Sequence, residues 1–172
     1  MKLEGRAFKF GDDINTDYII PAKRLTSVTV MKEVVCYLME DLDPEFVRKI
    51  RPGDMMVAGE NFGCGSSREA APWIIKEAGI GAVVAKSFAR IFYRNAINIG
   101  LPVVCADTDM IQDGDQLLID LEAGKIKDIE KGSFLKCEEM PPIMIKMLDE
   151  GGIVPFLRKY GGLREDHWRA VR

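Results

Sequence analysis

The chain has 172 residues, 47% of them hydrophobic and 30% charged, with a formal net charge of -3. A domain of that length buries about two thirds of its unfolded surface, so residues 1–172 read as a single domain with a core of its own. A charge this close to balance calls for neither nucleic acid nor a membrane as partner, and no stretch approaches the ~18 consecutive apolar residues of a transmembrane helix.

The opening MKLEGRAFKFGDD mixes acidic and basic residues where a signal peptide would need an unbroken apolar core, so a cytoplasmic protein is expected. Residues 3–10 alternate enough for a strand, and Gly11-Asp12-Asp13 turns the chain toward the apolar Tyr18-Ile19-Ile20-Pro21. Residues 23–29 read as a loop. Residues 30–42 have helical periodicity, with Val34, Tyr37, Leu38 and Leu42 on one side, ended by Asp43-Pro44.

After Pro52-Gly53 the pattern changes. A strand over 54–60, a helix over 68–79, a strand over 81–87, a helix over 88–100 and a strand over 102–106 follow one another. Short apolar strands alternating with amphipathic helices call for a parallel sheet, flanking helices and right-handed crossovers. Pro72 falls early enough in the first helix for its missing N–H to cost little. Beyond Asp113-Gly114, residues 116–139 read as an antiparallel meander, Pro141-Pro142 opens a last helix, and a charged tail over 163–172 holds the only histidine, His167. The fold class is therefore α/β, a mixed, mainly parallel sheet with flanking helices and a β-rich appendage.

The chemistry concentrates in Gly59-Glu-Asn-Phe-Gly-Cys-Gly-Ser-Ser-Arg-Glu69. A glycine-rich strand-to-helix junction presents unpaired N–H groups and the positive end of a helix dipole to an anion. Arg68 can grip a carboxylate or phosphate with two parallel bonds. A plainer reading makes Ser66 and Glu69 an S-x-x-E capping box that satisfies the helix without any ligand. It leaves the second serine, the arginine and the dense glycines unexplained. A dinucleotide fingerprint would need a third glycine where Arg68 stands, and a Walker loop needs Gly-Lys-Ser/Thr. A serine hydrolase would have to recruit His167 from the polar tail.

Cys36, Cys64, Cys105 and Cys137 are widely spaced with no C-x-x-C pair, so no zinc or cluster-binding run is visible and reduced thiols are expected. Cys64, between two glycines, is either a small residue filling a tight turn or a thiol whose pKa the helix terminus lowers. Arg90 and Arg94 lie four apart on one helical face and either contribute positive field or, in the commoner case, are solvated or paired with acidic neighbours. Asp17 is an Asx-type turn residue or part of the site.

Gly59-x-Asn61-Phe62-Gly63-x-Gly65-Ser66-Ser67-Arg68-Glu69, then Lys86-Ser87-Phe88-Ala89-Arg90-Ile91-Phe92, then Asn95-x-x-Asn98-x-Gly100-Leu101-Pro102 resemble the small subunits of the 3-isopropylmalate dehydratase and homoaconitase group. The N-terminal Thr16-Asp17-x-Ile19-Ile20-Pro21 is similar to that group's first signature. The resemblance covers nearly the whole chain. It implies a swivelling β/β/α domain, and a separate large subunit that carries a four-iron, four-sulfur cluster, with no cofactor bound by this chain. It also implies a dehydration and rehydration that moves a hydroxyl between adjacent carbons of a di- or tricarboxylate of the malate type. Carried over residue by residue, Ser66 is the proton-abstracting base, Ser67 and Arg68 hold substrate carboxylate, and Asp17 faces the site.

In that group the loop after Pro21 reads Tyr-Leu-x-x and discriminates substrates. Here Arg24 stands at the tyrosine position and Thr26 where an arginine would match an extra carboxylate. Arg24 and Thr26 are thus candidate substrate contacts, and isopropylmalate ranks before dimethylmalate and homocitrate. A dicarboxylate-binding module without chemistry, and a thiol enzyme using Cys64, are the competing functions. Tyr18, Ile19, Ile20 and Trp73 are candidates for an apolar patch facing a partner.

Overall fold

The structure, a computed structural model, describes residues 1–27 and 31–162. The strands β1 (Lys2–Lys9), β2 (Met55–Ala58), β3 (Ala82–Ala85), β4 (Val103–Cys105), β5 (Gln116–Asp120), β6 (Lys125–Asp128) and β7 (Phe134–Lys136) form one curled sheet. Their order is β4-β3-β2-β1-β5-β6-β7. The ladders from β1 through β4 are parallel, and those from β1 through β7 on the other side are antiparallel. The meander is therefore no separate layer but an extension of the same sheet. The two halves meet on β1, whose residues 2–6 pair with β5 while residues 7–9 pair with β2.

Every residue of β2 and β3 is buried, which suits apolar runs covered on both faces, whereas β5 alternates. Between the parallel strands run α4 (Ala70–Glu77) and α5 (Arg90–Ile99), which pack on each other. Near the C-terminus α6 (Pro142–Asp149) and α7 (Ile153–Tyr160) both pack against α5. Sequence analysis places the last helix after Pro141-Pro142 and assigns no element where α7 forms. Pro155 is in fact the third helical residue, where no helix bond is lost, and the fully buried Phe156 anchors the helix.

The N-terminal region departs most from expectation. The apolar run after Asn15 forms a one-turn helix, α1 (Thr16–Ile19), and the supposed loop after Pro21 is α2 (Ala22–Ser27). The long helix expected over 30–42 is a 3-10 helix over Met31–Tyr37 followed by turns, with Val30 outside the described residues. Val34 and Leu38 are buried as expected, but Leu42 is 44% exposed. Met39 takes a left-handed φ of 61° and donates its N–H to the Ile19 carbonyl at 3.1 Å, which stops the helix one turn early. One short helix, α3 (Phe46–Lys49), follows, with Phe46 packed edge-on to Phe8 and Phe10.

Candidate active site

Three connections meet at the C-terminal ends of the parallel strands: 10–15 after β1, 59–69 after β2 and 86–89 after β3. That edge is where open α/β sheets bind ligands. The second and third are tied together by bonds from Phe62 N–H to Ser87 O at 3.0 Å and from Ala89 N–H to Phe62 O at 2.9 Å. The rings of Phe62, Phe88 and Phe92 pack beneath them, with Phe62 to Phe92 centroids at 5.2 Å. Gly63 takes a φ of 77° directly over Phe92.

The first connection pins the glycine loop from its other side. Gly63 N–H donates to Ile14 O at 2.7 Å, and Thr16 N–H donates to Cys64 O at 2.8 Å. The Thr16 hydroxyl donates to the Ser66 carbonyl at 3.0 Å. Thr16 is 2% exposed, so its hydroxyl is a buried group with a specific partner. Sequence reading places Thr16 in a signature but gives it no task. Its role becomes visible only when residues 50 positions apart are brought together.

The capping box is not formed. The helix begins at Ala70 with Glu69 as its cap and no side-chain capping bond, and Pro72 is its third residue. Ser66 and Ser67 stand in exposed, irregular chain ahead of the helix. No backbone N–H from Gly65 to Glu69 donates to a described residue. Both hydroxyls are likewise free of described partners. The result is a run of open donors around Ser66, the preorganisation that steadies developing negative charge.

Arg68 and Asp17 are brought together. All three bonds of the Arg68 guanidinium leave from Nη1: to Asp17 Oδ1 at 2.7 Å, Ile20 O at 3.1 Å and Thr16 O at 3.5 Å. Nε and Nη2 donate to no described residue and are not buried without a partner. That Nε–Nη2 edge is a fork suited to a carboxylate. The Asx-type task belongs to Asn15, whose side chain accepts from the N–H groups of Asp17 and Tyr18, both at 2.9 Å. This leaves the Asp17 carboxylate to orient Arg68.

A cavity of about 310 Å³ is lined by Thr16, Gly63, Gly65, Ser66, Ser67 and Arg68 on one side and by residues 89–92 and Asn95 of the α5 region on the other. Arg24 and Thr26 do not line it. Arg24 makes a two-bond pair with Glu40, Nε to Oε1 at 2.7 Å and Nη2 to Oε2 at 2.9 Å, and stacks over Tyr37 at 4.0 Å. The Thr26 hydroxyl donates to Lys23 O at 3.1 Å within its own helix. Of the apolar residues expected to face a partner, Ile19 and Ile20 are fully buried and Trp73 is half-buried, whereas Tyr18 is 41% exposed. Ile91, 53% exposed on the cavity rim, has the surface character that sequence reading sought elsewhere.

The hydrogen bonds from Arg24 hold the Glu40 carboxyl below its ordinary value of 4.5. A carboxyl depressed by folding contributes stability that is complete above the ordinary value and is lost as pH falls through the lower, folded one. Glu40→Gln should therefore lower stability at neutral pH by about 1 kcal/mol, given the partial exposure of Arg24. Urea melts should show the gap to the parent chain narrowing below pH 4.5. A gap that persists unchanged into acid would mean that the ion pair contributes nothing.

Cys64 is half-buried, and burial pushes its thiol up rather than down, with Asp13 adding in the same direction. A thiol that resists ionisation is a poor nucleophile, so Cys64 fills the turn. Burial raises Cys105 and Cys137 to about 11. Arg90 and Arg94 are exposed and pair with no acidic residue among those described. His167 lies outside the described residues.

Residues 36–108 match the aconitase C-terminal domain family, a span that holds the glycine loop and α5. Over 164 residues the chain is 53% identical to 3-isopropylmalate dehydratase small subunit 2 of Archaeoglobus fulgidus, covering 95% of this chain and 99% of that one. It belongs to the 3-isopropylmalate dehydratase small-subunit family. The isopropylmalate/citramalate isomerase small subunit of Methanocaldococcus jannaschii is 47% identical over 159 residues, 91% of this chain and 94% of its own. The crystal structure of a 3-isopropylmalate dehydratase (leuD) from the same organism superposes with a TM-score of 0.88 at 50% identity, covering 94% of this chain and 96% of that one. That structure therefore shares the fold of this chain. Thr16 and Asp17 precede the span matched by the aconitase model, so the site draws on chain outside it.

Proposed function

We propose that this chain is the small subunit of a hydro-lyase that interconverts 2-isopropylmalate and 3-isopropylmalate together with a separate large subunit. The observation that carries the proposal is the Ser66 hydroxyl, uncapped, among open backbone donors and next to the free edge of Arg68. Arg68 and Ser67 hold a substrate carboxylate. Ser66, as the alkoxide, takes the proton from the carbon beside it, and that bonding pair becomes the new double bond as the hydroxyl on the neighbouring carbon departs. Rehydration in the opposite sense returns the proton from Ser66 and places oxygen on the other carbon. Asp17 works through Arg68, which it orients. Arg24 and Thr26 belong to the helix after Pro21, and the proposal gives that helix a part in substrate choice once the large subunit closes on it.

A four-iron, four-sulfur cluster, which accepts a leaving hydroxyl as a Lewis acid, is assigned to the large subunit. Among the described residues, no group of three or more His, Cys, Asp or Glu could hold a metal. A cytoplasmic location belongs to the same proposal and is supported by four free thiols, which suit a reducing compartment. No helix among the described residues is long and apolar enough to cross a membrane.

The test is reconstitution. The chain alone should leave 2-isopropylmalate untouched, and the anaerobically assembled pair should convert it, followed by appearance of 3-isopropylmalate. Conversion by the chain alone would contradict the proposal. So would firm malate binding by the isolated chain with no turnover by the pair, which would point to a binding module. A panel including dimethylmalate, homocitrate and citramalate, the last named for the Methanocaldococcus relative, ranks the substrates.

A further inference from the structure

The mechanism above uses one wall of the cavity. The other wall is the start of α5, where Ala89, Arg90, Ile91, Phe92 and Asn95 face the serines. Its composition is informative. Arg90 carries a full positive charge and is exposed, yet it makes no hydrogen bond or ion pair with any described residue. Asn95, half-buried, has an amide without a described partner. No acidic side chain lines the cavity. Asp17, the one carboxylate among the described residues in contact with its cations, is already bonded to Arg68 Nη1. Two guanidinium groups against one carboxylate leave the cavity with an excess of positive charge, and each guanidinium keeps donors that meet no described residue and are open to a separate carboxylate.

From this we propose that Arg90 binds the second carboxylate of the substrate, the first being held by Arg68. The assignment deepens the functional reading above and rests on it. A substituted malate carries two carboxylates on adjacent parts of a short chain. Held at only one of them, it could pivot, and the carbon that loses its proton would not stay in front of Ser66. Fixing both ends on different elements, the glycine loop and α5, converts a tethered ligand into an oriented one. Asn95, one turn beyond Ile91 on the same wall, can donate a second hydrogen bond to that carboxylate from its amide. The exposed Ile91 between them offers apolar surface to the remainder of the substrate.

Arg94 supplies the internal control. It is also exposed, also without a described partner and one turn further along α5, but it does not line this cavity. A contact with substrate would be specific to Arg90, and a diffuse electrostatic effect would be shared by both.

The experiment uses the assembled enzyme at saturating large subunit. Arg90→Gln should raise KM for 2-isopropylmalate about 10- to 100-fold, the loss expected for one charge-assisted hydrogen-bonded contact, and Arg90→Lys should fall between Gln and the parent. Arg94→Gln should shift KM by less than about twofold. Malate as competitive inhibitor should weaken against Arg90→Gln, while a 2-hydroxy monocarboxylate should inhibit both proteins equally. An unchanged KM for Arg90→Gln, an equal shift from Arg94→Gln, or a loss confined to the affinity between subunits would overturn the assignment. Failure of the parent pair to convert any malate would instead refute the functional reading beneath it, so the two failures are distinguishable.

Discussion

Ser66→Ala lowers turnover of the assembled enzyme about 10²- to 10⁴-fold, the range for loss of a positioned general base, and leaves folding and assembly intact. The expectation rests on a division of labour within one residue. The backbone carbonyl of Ser66 is structural, accepting the Thr16 hydroxyl, whereas its side-chain hydroxyl bonds to nothing described. Alanine keeps the carbonyl and removes only the hydroxyl, at an exposed position where substitutions change stability by less than about 0.5 kcal/mol. An alcohol ionises with difficulty, so the base is credible only if something steadies the alkoxide. The open N–H groups from Gly65 to Glu69 and the neighbouring guanidinium of Arg68 are what this chain provides. The measurement is kcat with a parallel thermal melt. Normal turnover in the alanine protein would remove Ser66 from the chemistry.

Gly63→Ala should be strongly destabilising, by about 3 kcal/mol or more in urea denaturation, with activity lost alongside. Two costs combine. A φ of 77° is strained for a residue with a Cβ, and an ideal Cβ there would stand 2.2 Å from Phe92 Cγ. Phe92 cannot yield easily, being 3% exposed and packed against the fully buried Phe62. Gly114 separates the two costs. Its φ is 90°, but nothing lies within 4 Å of its Cβ position, so Gly114→Ala should cost only the backbone strain, about 1–2 kcal/mol. Equal losses from the two substitutions would show that contact with Phe92 does not hold the loop in place.

The central β-α-β-α-β pattern and the meander were legible because their periodicities are strong and local. Strands whose every residue is buried read as continuous apolar runs, and Gly79 and Gly100 mark helix ends. The glycine-serine-arginine loop was legible as a strand-to-helix junction rich in open donors for the same local reason. Illegible features depend on partners distant in sequence. Thr16 matters because it meets Ser66, and Asp17 because it meets Arg68. Arg24 reads as available for substrate until Glu40 and Tyr37 are seen on either side of it. The α2 helix is too short for periodicity to register. Pro155 hides α7 by resembling a breaker while occupying a position where a proline is harmless.

Pro72 has an influence beyond its own helix. Were α4 to begin at Ser66, the proline ring would press on a carbonyl in the preceding turn, and a bond needed there could not form. The helix is thereby barred from growing backward over the two serines, whose hydroxyls would otherwise be consumed closing its first turn. A residue outside the cavity thus keeps both serines in irregular chain, by dictating where regular structure is allowed to start.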